Sequence, residues 1–335
     1  QSAVPEDMKT FIALNAEKAL IYPVIKESIG HQPGNSAAAA LQGHFAIIGS
    51  GPSGFYAAEE LLKQMPLAQV DMFERLPTPF GLVRYGVAPD HPRIKSVTAG
   101  FERIADHSRL RYWGNVNIGT DISREELLQH YCGVIYATGG SSSKPLPIPG
   151  ADLPNVISSS AFVGWYNGHP DHQALQVDLS HSTAVVIGMG NVALDIARML
   201  VLPTQQLSTT DMADYALKQL HNSSVREVCL LARRGAAQAA FTPKELEQLM
   251  AIPDLELIVD PISLTLDSAT QALMDTPEFS ETRQNLALLQ QIANRKYPAP
   301  TGTTANPIKR IRFLFNHVPE AIEGVGNYSV TTSRG

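Results

Sequence analysis

The chain has 335 residues, 44% of them hydrophobic and 17% charged, with a formal net charge of -6. At about 150 residues per domain this allows two domains, the negative balance gives no general field for nucleic acid, and no apolar run approaches the roughly 18 residues of a membrane span. The two cysteines, Cys132 and Cys229, stand far apart without a CxxC pair, which argues against a disulfide framework, a dithiol redox centre or a metal site and fits a reducing cytoplasm.

The chain opens at Gln1 without methionine or a signal pattern and stops at "VTTSRG", so both ends read as cuts. Residues 1–30 carry a helical pattern in "PEDMKTFIALNAEKAL", with Met8, Phe11, Ile12, Leu14 and Leu20 near one face. "GHQPGNSAAAALQG" then breaks every period and reads as a linker. From His44 onward strand and helix patterns alternate: "FAIIGS", a helix near 54–64, "QVDMFE", a Pro/Gly loop from Pro77 to Pro92, a helix near 93–106, and the strand "GVIYATG". That rhythm predicts a parallel sheet with helices on its faces. "SSSKPLPIPGADLPN" interrupts it, and a second round begins at "TAVVIGMGNVALDIARMLV", followed by a helix in "DMADYALKQL" and the strand "REVCLLA".

In the first round Gly49, Gly51 and Gly54 follow a strand and open a helix. The first suits a tight turn, the second leaves room for a pyrophosphate, and the third lets the helix pack closely on the strand. The helix N-terminus offers its N–H groups to phosphate. Glu74 ends the next strand 20 residues after Gly54, where a carboxylate can accept hydrogen bonds from both ribose hydroxyls. A coincidental turn and a surface glutamate are the plain alternatives.

The second round repeats the device with Gly188, Gly190 and Ala193, but its next strand ends in Arg233 and Arg234 rather than an acid. Paired guanidiniums suit a 2′-phosphate, which a carboxylate would repel. Two turns with opposite second-strand charges predict two different dinucleotides, one with free ribose hydroxyls such as FAD and one phosphorylated, NADP(H). Hydride exchange between nicotinamide and flavin is the chemistry such a pair supports.

The chain resembles the adrenodoxin reductase-like family of ferredoxin-NADP reductases in "GSGPSGFYAAEELL", "VDMFERLPTPFGLVRYGVAPDHPRIKSV", "AFVGWYNGHPD", "GMGNVALDIARML" and "RRGAAQAAFTPKEL". The resemblance implies an α/β fold of two Rossmann-like, doubly wound domains and an FAD-dependent enzyme passing hydride from NADPH to flavin and single electrons to ferredoxin, or the reverse. It also implies that Ser53, Glu74, Leu82 and Ile118 line the FAD site, and that Met189, Gly190, Asn191, Val192, Arg233, Arg234 and Glu245 line the NADP site. By the same resemblance His91 and Asp195 lie near flavin and nicotinamide, where they tune polarity or relay protons. Lys95, Arg103, Arg109 and Arg111 are candidate charges for an acidic ferredoxin.

The front, "VPEDMKTFIALNAEKALIYPVIKES", is similar to the C-terminal tail of a bacterial seven-iron ferredoxin. That implies a ferredoxin fused in cis, with its iron-sulfur cluster ligands upstream of Gln1. The expected division is therefore 1–43 as tail helix and linker, 44–142 as the FAD-binding part and 143–335 as the NADP(H) domain. In the family the chain returns to complete the FAD domain, and no such return is present here, so the FAD domain is expected to be incomplete and the NADP(H) domain open to the same shortfall. A partial sheet leaves exposed edges and uncovered apolar faces, and the expectation is weak FAD retention. A glutamate synthase small-subunit-like reductase and a non-catalytic nucleotide-binding remnant are the alternatives carried alongside.

Overall fold

The computed structural model describes residues 43–140, 143–274, 276–297, 309–325 and 327–334. The expected ferredoxin-like helix and its linker lie outside the described residues. Two compact units emerge, and they do not follow a single cut after residue 142: Asn167–Gln173 belongs with the first unit, and the second comprises 143–166 and the residues after 173.

In the first unit the elements are β1 (His44–Ile48), α1 (Pro52–Gln64), β2 (Gln69–Phe73), α2 (Leu82–Tyr85), α3 (Pro92–Lys95), α4 (Thr98–Ala105), β3 (Leu110–Trp113), α5 (Arg124–His130) and β4 (Gly133–Tyr136). The strands form a parallel sheet in the order β3-β2-β1-β4. Side chains alternate between faces along a strand, and the core divides accordingly. Ile47, Val70 and Met72 pack with Phe55, Ala58 and Leu62 of α1 and Phe101 of α4, where the Phe55 and Phe101 rings stack at 5.0 Å. Ala46, Ile48 and Phe73 pack on the opposite face with Leu127 of α5 and Tyr131.

The helix expected near 93–106 is two helices, α3 and α4. Ser96 is the reason at the break: its hydroxyl donates to the Arg93 carbonyl at 2.7 Å, a local bond that competes with helix continuation. The expected Pro/Gly loop contains the single turn α2, entered through Phe80 and Gly81 at φ 87° and 46°. β3, "LRYW", gives little sequence signal because its alternation places arginine and tryptophan on one face.

In the second unit α6 (Ser159–Tyr166), β5 (Thr183–Ile187), α7 (Asn191–Val201), α8 (Asp214–His221), β6 (Glu227–Leu231), α9 (Pro243–Met250), β7 (Leu255–Val259), α10 (Ser280–Asn294) and β8 (Lys309–Leu314) lead to an antiparallel hairpin of β9 (His317–Val325) and β10 (Asn327–Arg334). β5-β6-β8-β7 form a second parallel sheet. Its buried residues include Leu194, Ala197 and Met199 of α7, Val228 and Leu230 of β6, Phe313 of β8, and Leu289 and Ile292 of α10. β5 pairs on one side only among the described strands, and Val185 and Ile187 stay exposed.

Candidate functional site

The first glycine turn lies where the strand order of its sheet reverses, between β1 and β4, the position at which open α/β sheets place ligands. Gly49 has φ 105°, and a Cβ there would sit 2.4 Å from the Ala137 carbonyl oxygen just beyond β4. Gly54 carries α1 onto the turn so closely that a Cβ would lie 2.1 Å from the Gly49 carbonyl oxygen. At Gly51 the nearest atom to an added Cβ is Gly81 Cα, at 4.0 Å. The first and third glycines are thus demanded by the protein's own packing, while the second leaves room. Gly51 is also the N-cap of α1, and no side chain caps it, so the helix start suits an anion.

Glu74 follows β2 and reaches this turn. One carboxylate oxygen accepts from the Ser50 amide at 3.0 Å and the Ser50 hydroxyl at 2.7 Å, while the other accepts from the Leu76 amide at 3.0 Å. A carboxylate has about four lone-pair sites, so capacity for ribose hydroxyls remains. Nearby, burial and then the Glu74 charge push the Tyr112 phenol well above its ordinary range, keeping it neutral. Ser53 is exposed in the first turn of α1, Leu82 is 67% exposed, and Ile118 is half-buried, bridged to Ile122. His91 is buried and stands at the N-cap position of α3, where its side chain makes no capping hydrogen bond.

Sequence reasoning missed Phe80 and Gly81. The Phe80 amide donates to the Ser50 carbonyl at 2.8 Å, and a Cβ on Gly81 would lie 2.9 Å from Gly51 Cα. The Phe-Gly pair inside "TPFGLVRYG" was the available signal.

At the second turn Gly188 has φ 143°, and an added Cβ would meet nothing within 4 Å. Gly190 caps α7 without side-chain help, and Ala193 is buried at the third position. The Met189 carbonyl accepts from the Ala240 amide and the Asn191 Oδ1 from the Thr242 amide, each at 2.8 Å. Val192 is exposed. Because Ile187 pairs with Leu231, the chain leaving β6 runs beside this turn. Arg233 and Arg234 follow there, both exposed and without an ion pair among the described residues.

Asp195 and Glu245 do not stand on a solvated face. Arg198, 2% exposed, donates to Asp195 at 2.6 Å and to Glu245 at 3.3 Å. A buried guanidinium between two carboxylates compensates charges that would otherwise be costly to bury. Arg198 was missed because its partners lie on another turn of α7 and on α9.

Two of the four expected docking charges are corrected. Arg109 donates to the carbonyls of Leu62, Met65 and Ala68 at 2.6, 2.9 and 2.7 Å, closing the C-terminal end of α1. Arg111 pairs with buried Asp71, which also accepts from the Tyr131 hydroxyl at 2.7 Å. Both guanidiniums hold the fold. Lys95 donates to Asn167 at 3.3 Å, and Arg103 stands in the last turn of α4.

The family described as pyridine nucleotide-disulphide oxidoreductase matches residues 43–250. The chain is 43% identical over 286 residues to the mitochondrial NADPH:adrenodoxin oxidoreductase of Arabidopsis thaliana, covering 85% of this chain and 58% of that relative. It is 45% identical over 279 residues to a probable ferredoxin/ferredoxin--NADP reductase of Mycobacterium bovis, covering 83% of this chain and 47% of the relative. Among solved structures, Mycobacterium tuberculosis FprA in complex with NADPH superposes with a TM-score of 0.78 at 39% identity, covering 87% of this chain and 67% of the other. The chain thus spans about half to three fifths of these curated relatives.

Proposed function

The chain belongs to the pyridine nucleotide-disulphide oxidoreductase family, and from that premise we propose that the polypeptide carrying it is an FAD-dependent NADPH:ferredoxin oxidoreductase. The observation that carries this reading is the contrast between the two glycine turns. At the first, Glu74 presents a fixed carboxylate beside Gly51, suited to a dinucleotide with free ribose hydroxyls. At the second, exposed Arg233 and Arg234 stand beside Gly188 and Gly190, suited to a 2′-phosphate.

On this reading the N-terminus of α1 and the open space at Gly51 receive the FAD pyrophosphate, and Glu74 accepts from its ribose. The cradle that a Cβ on Gly51 would fill and the uncapped helix start both fit that group. A flavin so bound supplies the conversion between two-electron hydride exchange and one-electron transfer. Asn191 holds the Thr242 segment beside the second turn, and the Arg198 guanidinium fixes Asp195 and Glu245 there. Hydride transfer needs alignment and exclusion of water more than a side-chain acid or base, so the work of these residues is binding and orientation.

The curated relatives carry names of ferredoxin and adrenodoxin reductases, which supports an iron-sulfur protein as electron partner and sets the glutamate synthase-like alternative aside. A ferredoxin fused in cis also belongs to this proposal, supported by the joint name of the Mycobacterium bovis relative. Linked modules would exchange electrons at high effective concentration. No helix among the described residues is long and apolar enough to cross a membrane; a cytoplasmic setting is part of the same reading. The test is optical: the complete polypeptide should show flavin absorbance that bleaches on adding NADPH. A colourless protein indifferent to NADPH supports a non-catalytic remnant instead.

A further inference from the structure

Asn167–Gln173 leaves the end of α6 and joins the first unit, although nothing in the glycine-turn reading requires it. Three of its contacts fall within one segment. Arg75, directly after Glu74, pairs with Asp171 at 2.8 Å; the Tyr85 ring of α2 meets the His169 ring edge-on at 4.8 Å; and Lys95 of α3 donates to Asn167. Residues 74–95 are the stretch that carries Glu74 and passes over Gly51 through Phe80 and Gly81. The strap is therefore tied to the covering of the first glycine turn.

One atom of this strap is unaccounted for. Asn167 is 8% exposed, and its Nδ2 is buried without a hydrogen-bond partner among the described residues. The orientation of the amide is fixed chemically: a lysine ammonium only donates, so Oδ1 faces Lys95 and the N–H donors face away. A buried donor left unpaired costs about 1–3 kcal/mol. Such a donor, held in place by an ammonium and lodged against the cover of a nucleotide site, calls for an acceptor that arrives with a ligand.

We propose that Asn167 is a binding residue of the first site, donating from Nδ2 to an acceptor atom of the bound flavin, while Lys95 holds its carbonyl and the strap in register. This rests on the reading of that site as the FAD site. The donor then becomes satisfied only in the loaded protein, so part of the cofactor's affinity is relief of an unpaired amide.

Asn167→Asp isolates the donor, because the carboxylate keeps the contact to Lys95 but cannot donate. In the complete polypeptide, FAD affinity measured by quenching of flavin fluorescence should fall by about tenfold or more, and the resistance of the FAD-free protein to urea should stay the same or rise. Lys95→Met, which loosens the strap and leaves the donor, should weaken FAD less. Unchanged FAD affinity in Asn167→Asp overturns the proposal, as does an equal loss in both variants, which would make Asn167 an anchor only. Wild-type protein that takes up no FAD instead overturns the reading of the first site, and this proposal with it.

Discussion

The Glu74 carboxylate is held by Ser50, through the amide at 3.0 Å and the hydroxyl at 2.7 Å. Ser50 is fully buried inside the glycine turn, so the carboxylate is aimed before any ligand arrives. A fixed acceptor gives up less conformational entropy on binding than a mobile one.

Glu74→Gln should therefore lose more than charge. Its amide must place an NH2 before either the two Ser50 donors or the Leu76 amide, each of which now donates to a carboxylate oxygen. FAD affinity should fall by about tenfold or more, with Ser50→Ala intermediate, as read by cofactor retention on gel filtration.

The first and second turns should differ in tolerance of a methyl group. Gly49→Ala meets the Ala137 carbonyl at 2.4 Å in addition to its φ of 105°, whereas Gly188→Ala carries a φ of 143° with open space. Backbone strain alone costs about 1–3 kcal/mol. Gly188→Ala should stay within that range in urea unfolding, and Gly49→Ala should exceed it or fail to fold.

At the second turn, Arg233→Ala with Arg234→Ala should raise the KM for NADPH by about tenfold or more, the worth of charge-assisted hydrogen bonds. The KM for NADH should barely move. Steady-state kinetics with both cofactors decides it, and equal effects would contradict the assignment of the phosphate to these residues.

Arg198→Met should destabilise the protein by about 3–5 kcal/mol, because it removes the buried guanidinium from which both the Asp195 and the Glu245 carboxylates accept. Adding Asp195→Asn and Glu245→Gln should recover most of that loss in denaturant unfolding. Simple additivity of the three changes would show that they do not act as a unit.

The strap offers a pH signature. Arg75 holds the Asp171 carboxyl below its ordinary value, and burial lowers His169, against smaller opposing effects from Asp171 and Glu74 and reinforcing ones from His172 and Arg75. Both folded-state values are depressed, so both groups bind more protons when unfolded and contribute stability that is lost as pH falls. The loss should begin near the ordinary histidine value of about 6.5 and continue through the carboxylate range. Protection of the amides at 167–173, taken relative to the intrinsic exchange rate at each pH, should fall on acidification, and Asp171→Asn with His169→Gln should flatten the response.

Much of the local architecture around the two glycine turns was legible in the sequence. Gly49, Gly51, Gly54 and the later Gly188 and Gly190 announce strand-turn-helix units through local spacing, and Glu74 against Arg233 and Arg234 separates the two rounds by charge. Other roles misled. Arg109 and Arg111 read as docking charges, yet the register of β3 beside β2 places Arg111 opposite Asp71, and α1 ends within reach of Arg109. The place proposed for Asp195 near the nicotinamide is untouched by this, but its tie to Arg198 and Glu245 required α7 and α9 to pack together.

What the sequence determined by itself was local: a positive φ that favours glycine, an uncapped helix start, and the sign of the charge closing the next strand are set within a few residues. Tertiary structure alone decided which partner each buried charge received, that Phe80 and Gly81 return over Gly51, and that Asn167 joins the first unit. Those pairings span tens of residues, and strand register and crossover choose among many chemically equivalent partners that spacing along the chain cannot rank.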